Sequence, residues 1–215
     1  MTSTAKHPSY DQLKDLPAYA EQPVPIAFED NNGHLNVRHY LGIGSEGLDE
    51  SLVDLGIPVD WPIKAGHACF AAEHHVTYLR ELRTGDRMSV RVRLLGRSER
   101  AAHALVYILD DTHQQLSAVF EEIFLHIDLS DRRTAPWPAD VAAAIDARVT
   151  EHEGLPFEAV TSGSMALRCP SCTDPSPAET SLMRGRAVTD ARSTGRSRTA
   201  ASGPACVSDV WSVRE

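Results

Sequence analysis

The chain has 215 residues, of which 42% are hydrophobic and 24% are charged, and these proportions are typical of a globular protein. Its net charge of −9 argues against binding to the phosphate backbone of nucleic acids. The first residues, MTSTAKHPSYDQLKD, lack the apolar segment of a signal peptide, and no apolar run approaches the ~18 residues of a membrane helix. We therefore expect a cytoplasmic protein that binds neither nucleic acid nor membranes.

The amino-terminal half of the chain predicts a strand followed by a long helix. Residues 23–28, PVPIAF, are apolar and read as a short strand. From residue 36 to residue 56, apolar side chains recur every three or four positions, which is typical of one amphipathic helix. Gly42, Gly44 and Gly47 weaken such a helix by roughly 1 kcal/mol each relative to alanine. We expect the helix to approach its covering element closely at these glycines.

After the helix the period of the pattern changes to two, which predicts strands. The candidate strands cover residues 68–79, 87–96, 101–110 and 115–128. The second of them alternates arginine or serine with apolar residues, so we expect a half-buried antiparallel strand with one partly solvated face. Short turns between the strands favour an antiparallel meander. A final amphipathic helix is predicted over residues 139–149.

This order of elements predicts an α+β fold in which one helix covers one face of the sheet. The long edge strands need protection, so we expect a homodimer or a dimer of dimers. We divide the chain into an extension (1–21), the folded domain (22–150) and a low-complexity, disordered tail (151–215). The composition changes most clearly from about residue 165. The C-x-x-C pair in this tail has no second pair at zinc-finger spacing, so it does not predict a zinc site.

The segment between the first strand and the helix carries polar residues of the types that take part in catalysis. A helix amino terminus presents unpaired N–H groups that can polarise a carbonyl and stabilise an oxyanion. Asp30 lies just before this terminus, where a carboxylate can attack a carbonyl carbon or activate water. Gly33 allows the backbone to approach a ligand closely. The alternative interpretation is that Asp30 and its neighbouring asparagines only cap the helix.

Residues 30–41, DNNGHLNVRHYL, resemble the D-x-N-G-H-x-N-x-x-x-Y signature of hotdog-fold acyl-CoA thioesterases of the 4-hydroxybenzoyl-CoA thioesterase type. The stretches at 73–86, EHHVTYLRELRTGD, and 121–128, EEIFLHID, are similar to the same family. The resemblance covers about residues 22–148 and is greatest to the thioesterases of carnitine catabolism that cleave betainyl-CoA. It implies a hotdog fold, in which a curved antiparallel sheet wraps around a long central helix.

The resemblance also implies the activity and the residues that perform it. The expected reaction is hydrolysis of a small acyl-CoA thioester, without a cofactor or a metal, at a site completed across a dimer interface. The alternatives are a non-catalytic module that binds acyl-CoA or acyl carriers, and a hotdog-type enoyl-CoA hydratase. The expected residues are Asp30, Glu73, His34 and Asn36 for catalysis, the backbone of Gly33 and His34 for the oxyanion, Tyr40, His67, Phe70 and His75 for the substrate, and Arg97 and Arg100 for CoA phosphates.

Several of these residues have a structural alternative. Glu73 lies in the middle of an apolar strand and could form an ion pair with a nearby arginine. Trp61, Phe70 and Tyr78 could form a cage for a quaternary ammonium group, or could be core or interface aromatics. A histidine is more often structural than ligand-binding, and this alternative applies to His67, His74, His103 and His126.

Overall fold

The computed structural model describes residues 6–167. Among the helices of this part of the chain, none is both long enough and apolar enough to cross a lipid bilayer. The elements, in chain order, are α1 (Tyr10–Leu13), β1 (Tyr19–Pro23), a 3-10 helix (Ile26–Phe28), α2 (Val37–Val53), α3 (Trp61–Lys64), β2 (His67–Tyr78), β3 (Arg87–Arg97), β4 (Ala101–Asp110), β5 (Gln115–Asp128), β6 (Arg133–Thr134) and α4 (Ala139–Glu153).

One antiparallel sheet forms the body of the molecule, with the strand order β1-β3-β4-β5-β2 and β6 paired with β5. Helix α2 packs on one face of this sheet, which we call the inner face, and the largest hydrophobic cluster lies between them. The side chains of β3 that enter this cluster are Met88, Val90, Val92 and Leu94. The prediction of an α+β hotdog architecture is confirmed.

The strand predicted over residues 23–28 is wrong. Strand β1 covers Tyr19–Pro23 instead, and Ile26–Phe28 form a turn of 3-10 helix. Pro23 and Pro25 explain the difference, because a proline has no N–H to donate to a sheet ladder. Pro25 sits immediately before the 3-10 helix, and its carbonyl accepts the hydrogen bond from Phe28 N at 2.9 Å.

We call the opposite face of the sheet the outer face. It was predicted to be partly solvated, but the structure shows that it is covered. Arg91 and Arg93 of β3 are only 6% and 7% exposed. A second hydrophobic cluster lies on this face, where helix α1 and the beginning of the segment that follows α4, residues 155–159, contribute apolar side chains. Arg93 Nη1 donates to the carbonyl of Phe157 at 2.8 Å, and the Phe157 ring lies under its guanidinium.

The same segment corrects the predicted start of the tail at residue 151. Helix α4 runs to Glu153, beyond the predicted end at residue 149, and Phe157 and Met165 are buried beyond it. The backbone N–H of Ser162 donates to Glu121 of β5 at 2.6 Å, which fixes the segment to the sheet. The rest of the predicted tail, with its three cysteines, lies outside the described residues.

Candidate active site

The segment before helix α2 forms a tight loop that is closed by its own hydrogen bonds. Glu29 and Leu35 form an antiparallel bridge across its base. Within it, Asp30 N donates to His34 O at 2.8 Å and Gly33 N donates to Asp30 O at 3.2 Å. Gly33 has a φ of 79°, which a side chain at this position would disfavour. The loop therefore holds the Asp30 carboxylate in a fixed place.

The Asp30 carboxylate accepts hydrogen bonds from the loop and not from the helix. Its Oδ1 accepts from Asn32 N at 2.7 Å and from His34 N at 3.3 Å, and its Oδ2 accepts from Asn32 Nδ2 at 3.3 Å. These bonds, chiefly that from the Asn32 backbone, hold the pKa of Asp30 below its ordinary value. Asp30 is therefore ionised at neutral pH, which is the form in which a carboxylate can act as a base or nucleophile.

Helix α2 is capped by Asn36, whose Oδ1 accepts from Arg38 N at 3.1 Å. The alternative in which Asp30 caps the helix is therefore wrong. Asn36 was expected among the catalytic residues, and in the structure its side chain caps the helix terminus. The predicted oxyanion amides, those of Gly33 and His34, both donate to Asp30 at the long end of the hydrogen-bond range.

An open cleft of about 340 Å³ lies next to this loop. The aromatic ring of Tyr40 from α2 meets the ring of Tyr78 from β2 edge to face, with centroids 5.2 Å apart. Tyr40 is 5% exposed, whereas Tyr78 is 51% exposed and is open to a ligand. The residues that line the cleft are Asp30, His34, Leu35, Val37, Tyr40, Tyr78, Leu79, Arg80 and Glu81.

Glu81 is a residue of this cleft that sequence reasoning missed. Its Oε2 lies 2.8 Å from His34 Nε2, and its Oε1 accepts from Arg83 Nε at 2.8 Å. The bond from Arg83 holds the pKa of Glu81 below its ordinary value. Glu81 falls at an unspecified position of the family-like stretch at 73–86, inside the charged run R-E-L-R, which resembles an ordinary solvated turn.

The structure does not bring Glu73 and His75 to this cleft. A β-bulge at Ala72 interrupts the pairing of β2 with β5, and beyond it Glu73 pairs with Ile123 and His75 with Glu121. These positions lie on the outer face, whereas Tyr78 pairs with Ala118 on the inner face. The period of two predicted for this strand agrees with the register beyond the bulge. The same register places Glu73 on the face away from the cleft that Asp30 lines, within one chain.

His67 and Phe70 lie near the start of β2, whereas the cleft lies at its end. The eight steps along the chain from Phe70 to Tyr78 span roughly 26 Å in an extended strand. Phe70 packs on the outer face and Trp61 on the inner face, so a cage of Trp61, Phe70 and Tyr78 does not form within one chain. The His67 ring instead lies 5.2 Å from the Trp61 ring and 4.9 Å from the His126 ring.

Arg97 and Arg100, expected to bind CoA phosphates, lie at the turn between β3 and β4. Arg97 Nε donates to Asp146 Oδ1 of α4 at 2.7 Å. Arg100 has a longer contact of 3.7 Å with Glu99, and it is half exposed. Because Ala101 aligns through β5 with Phe70, this turn is at the far end of the sheet from the cleft.

Three of the other histidines have partners that fit a structural role. His74 Nε2 lies 3.0 Å from Glu122 and His103 Nε2 lies 2.9 Å from Glu121, two buried carboxylates of β5. His126 is 1% exposed and its Nδ1 hydrogen-bonds the carbonyl of Ala135 at 2.9 Å. Burial lowers the pKa of His126, which favours its neutral form.

Comparison with known proteins agrees with the fold and with the family that the motifs resemble. Residues 24–145 match the family described as the thioesterase-like superfamily. The betainyl-CoA thioesterase of Pseudomonas aeruginosa is 32% identical over 136 residues, which are 63% of this chain and 86% of that protein. The L-carnitine dehydrogenase/betainyl-CoA thioesterase of Agrobacterium fabrum is 30% identical over 148 residues, 69% of this chain but only 30% of that longer protein.

Solved structures show the same architecture. A Staphylococcus aureus protein determined in complex with CoA superposes with a TM-score of 0.59 at 20% identity, covering 68% of this chain and 89% of that one. The chain belongs to the thioesterase-like superfamily. It is a hotdog-fold protein of the acyl-CoA thioesterase class, as its motifs predicted.

Proposed function

We propose that the protein hydrolyses a small acyl-CoA to the free acid and CoA in the cytoplasm, and that Asp30 is its catalytic carboxylate. The observation that carries this proposal is the Asp30 loop, which holds an ionised carboxylate at the mouth of a cleft beside the start of a long helix. Attack on the thioester carbonyl comes either from water that Asp30 activates, which gives the free acid directly, or from Asp30 itself, which gives an acyl–aspartyl anhydride that water then hydrolyses. Amides near the helix terminus stabilise the oxyanion, and CoA thiolate leaves.

Betainyl-CoA is the first candidate substrate. The cleft combines the exposed ring of Tyr78 with the carboxylates of Asp30 and Glu81. Aromatic faces and carboxylates are the groups that recognise a quaternary ammonium. The two relatives named above are betainyl-CoA thioesterases, which supports the same choice.

We further propose that the active protein is a homodimer joined along β2. Within residues 6–167, β5 is the only strand that pairs with β2, so one edge of this long strand is open. Antiparallel pairing of two β2 strands about their midpoint would place Tyr78 of one subunit beside His67 of the other. The predicted substrate residues at the start of β2, and the arginines of the β3–β4 turn, would then approach the cleft from the partner subunit.

The test of the proposed function is thiol release from a panel of acyl-CoAs. Betainyl-CoA should be compared with tert-butylacetyl-CoA, which has the same shape but carries no charge on the acyl group. Because the ammonium group itself activates the thioester, the comparison uses KM: a lower KM for betainyl-CoA supports a cation-selective cleft, whereas equal KM values contradict it. Binding of acyl-CoAs without any thiol release would favour the non-catalytic module, and hydration of an enoyl-CoA would favour the hydratase.

The shared site has its own test, which uses mixtures of two inactive variants. Asp30→Asn subunits mixed with His67→Ala subunits should form heterodimers in which one site has both native residues. If each site is built from two subunits, mixing restores up to a quarter of the wild-type activity. Mixtures as inactive as their components would contradict a contribution of His67 from the partner.

A further inference from the structure

The contact between His34 and Glu81 joins two segments that are far apart in sequence. His34 belongs to the Asp30 loop, and Glu81 belongs to the connection between β2 and β3. The two segments are locked together by the backbone, because Leu35 N donates to Leu82 O at 2.7 Å and His34 forms an antiparallel bridge with Arg83. The side-chain contact of 2.8 Å is therefore held by main-chain hydrogen bonds on both sides.

The charge of Glu81 decides how the His34 ring is oriented. A glutamate carboxylate is ionised at neutral pH, and the bond from Arg83 lowers the pKa of Glu81 further, so this carboxylate can only accept hydrogen bonds. His34 must then donate from Nε2, and in a neutral imidazole the other nitrogen, Nδ1, carries no hydrogen. The ring thus has one defined acceptor, in a side chain that lines the same cleft as Asp30.

We propose that Glu81 is a positioning residue for the thioesterase reaction, acting through His34. It holds the imidazole by its Nε2–H and leaves Nδ1 to accept a hydrogen bond from the attacking water or from the bound substrate. The inference rests on the proposed function, since it assigns Glu81 to the same site. Its value to catalysis is orientation, and misplacement of a group by about 1 Å can cost on the order of 100-fold in rate.

The kinetic test compares substitutions of Glu81 with a substitution of Arg83, the second residue that contacts the Glu81 carboxylate. Glu81→Ala should lower kcat by about 10- to 100-fold with little change in KM. Glu81→Gln still offers a carbonyl oxygen to Nε2–H, so it should recover part of the loss. Arg83→Gln is the matched control, because it removes the other partner of Glu81 and leaves the His34 contact in place. Equal losses in Glu81→Ala and Arg83→Gln would show a merely structural ion pair and overturn the proposal.

A double-mutant cycle shows whether Glu81 acts through His34. In a His34→Asn background, Glu81→Ala should have no further effect on kcat. An undiminished effect in that background would overturn the proposal. Thermal unfolding of each variant, which should change little for these half-exposed side chains, identifies any loss of fold.

A measurement that does not depend on activity separates this inference from the proposed function. The ring ¹⁵N chemical shifts of His34 above pH 8, assigned by comparison with His34→Asn, report which nitrogen carries the hydrogen. The wild type should show the Nε2–H form, and Glu81→Ala should show a mixture. An Nδ1–H form in the wild type would overturn the inference, whereas the absence of thiol release would contradict only the catalytic role and with it the proposed function.

Discussion

Gly47 of helix α2 lies against Val90 of β3 so closely that a Cβ atom at position 47 would come within 2.5 Å of the valine side chain. Gly47→Ala should therefore lower the free energy of unfolding by about 1–3 kcal/mol, because the helix must move away from the sheet. Gly42→Ala is the control, since a Cβ at position 42 meets nothing within 4 Å. It should raise stability by roughly 0.5–1 kcal/mol in urea unfolding. Similar effects of the two substitutions would contradict this account of the packing.

His152 makes the stability of the fold sensitive to acid. It is 3% exposed, its Nδ1 accepts from Leu94 N at 2.9 Å, and burial lowers its pKa to about 4. An unfolded chain would hold this histidine near its ordinary value of 6.5, so the unfolded state binds more protons between these two pH values. The free energy of unfolding therefore falls as the pH is lowered from 6.5 to about 4, by at most on the order of 3 kcal/mol.

His152→Gln removes this titration while leaving an acceptor for Leu94. Chemical unfolding at pH 7 and pH 4.5 should show a smaller acid-induced loss in the variant than in the wild type. The difference between the two proteins isolates His152 from the carboxylates that also titrate in this range. An equal loss in both would show that His152 is not responsible.

Substitution of Asn36 tests whether this side chain only caps helix α2 or also takes part in the reaction. Asn36→Ala should lower the free energy of unfolding by about 1 kcal/mol, because Arg38 N loses its acceptor. The comparison is Asn31→Ala, an exposed position in the same loop, for which we expect a change within about 0.5 kcal/mol. If Asn36 only caps the helix, kcat and KM are unchanged; a large loss of kcat or a large increase in KM would show that Asn36 also takes part in the reaction, as its motif position predicted.

Phe157 tests the cover on the outer face of the sheet. Its ring is 8% exposed and packs beneath Arg93, so Phe157→Ala should cost about 3 kcal/mol of stability. Glu158→Ala changes the adjacent exposed residue and should stay within about 0.5 kcal/mol. Both can be measured by urea unfolding of the full chain. A loss below 1 kcal/mol for Phe157→Ala would mean that the segment after α4 contributes little to the fold.

Periodicity predicted the long helix and the four main strands, because each of these is a local property. The expectation for the helix glycines is confirmed where Gly44 and Gly47 approach Phe120 and Val90, but it is wrong for Gly42, which faces open space. The cover on the outer face was not predictable from β3 itself. An alternating arginine pattern reads as solvated, and the segment that buries Arg93 comes more than sixty residues later.

The sequence predicted some residues of the candidate site and missed others. The motif identified Asp30 and its loop, and the structure adds that Asn36 rather than Asp30 caps the helix. The local sequence cannot show which of the two residues caps the helix, because several polar side chains compete for the same few N–H groups. Glu81 was missed because its role depends on a bridge between distant segments, and nothing in its own neighbourhood marks it out.

The most direct test of the central claim is acyl-CoA hydrolysis by wild type and Asp30→Asn, measured together with binding of CoA. Asparagine keeps an oxygen for the amides of Asn32 and His34, while it removes the carboxylate charge and the acceptor of the weak bond from Asn32 Nδ2. The account predicts a loss of kcat by about 100-fold or more, with CoA affinity changed by less than threefold. An Asp30→Asn protein that hydrolyses its substrate at a rate close to wild type would contradict it.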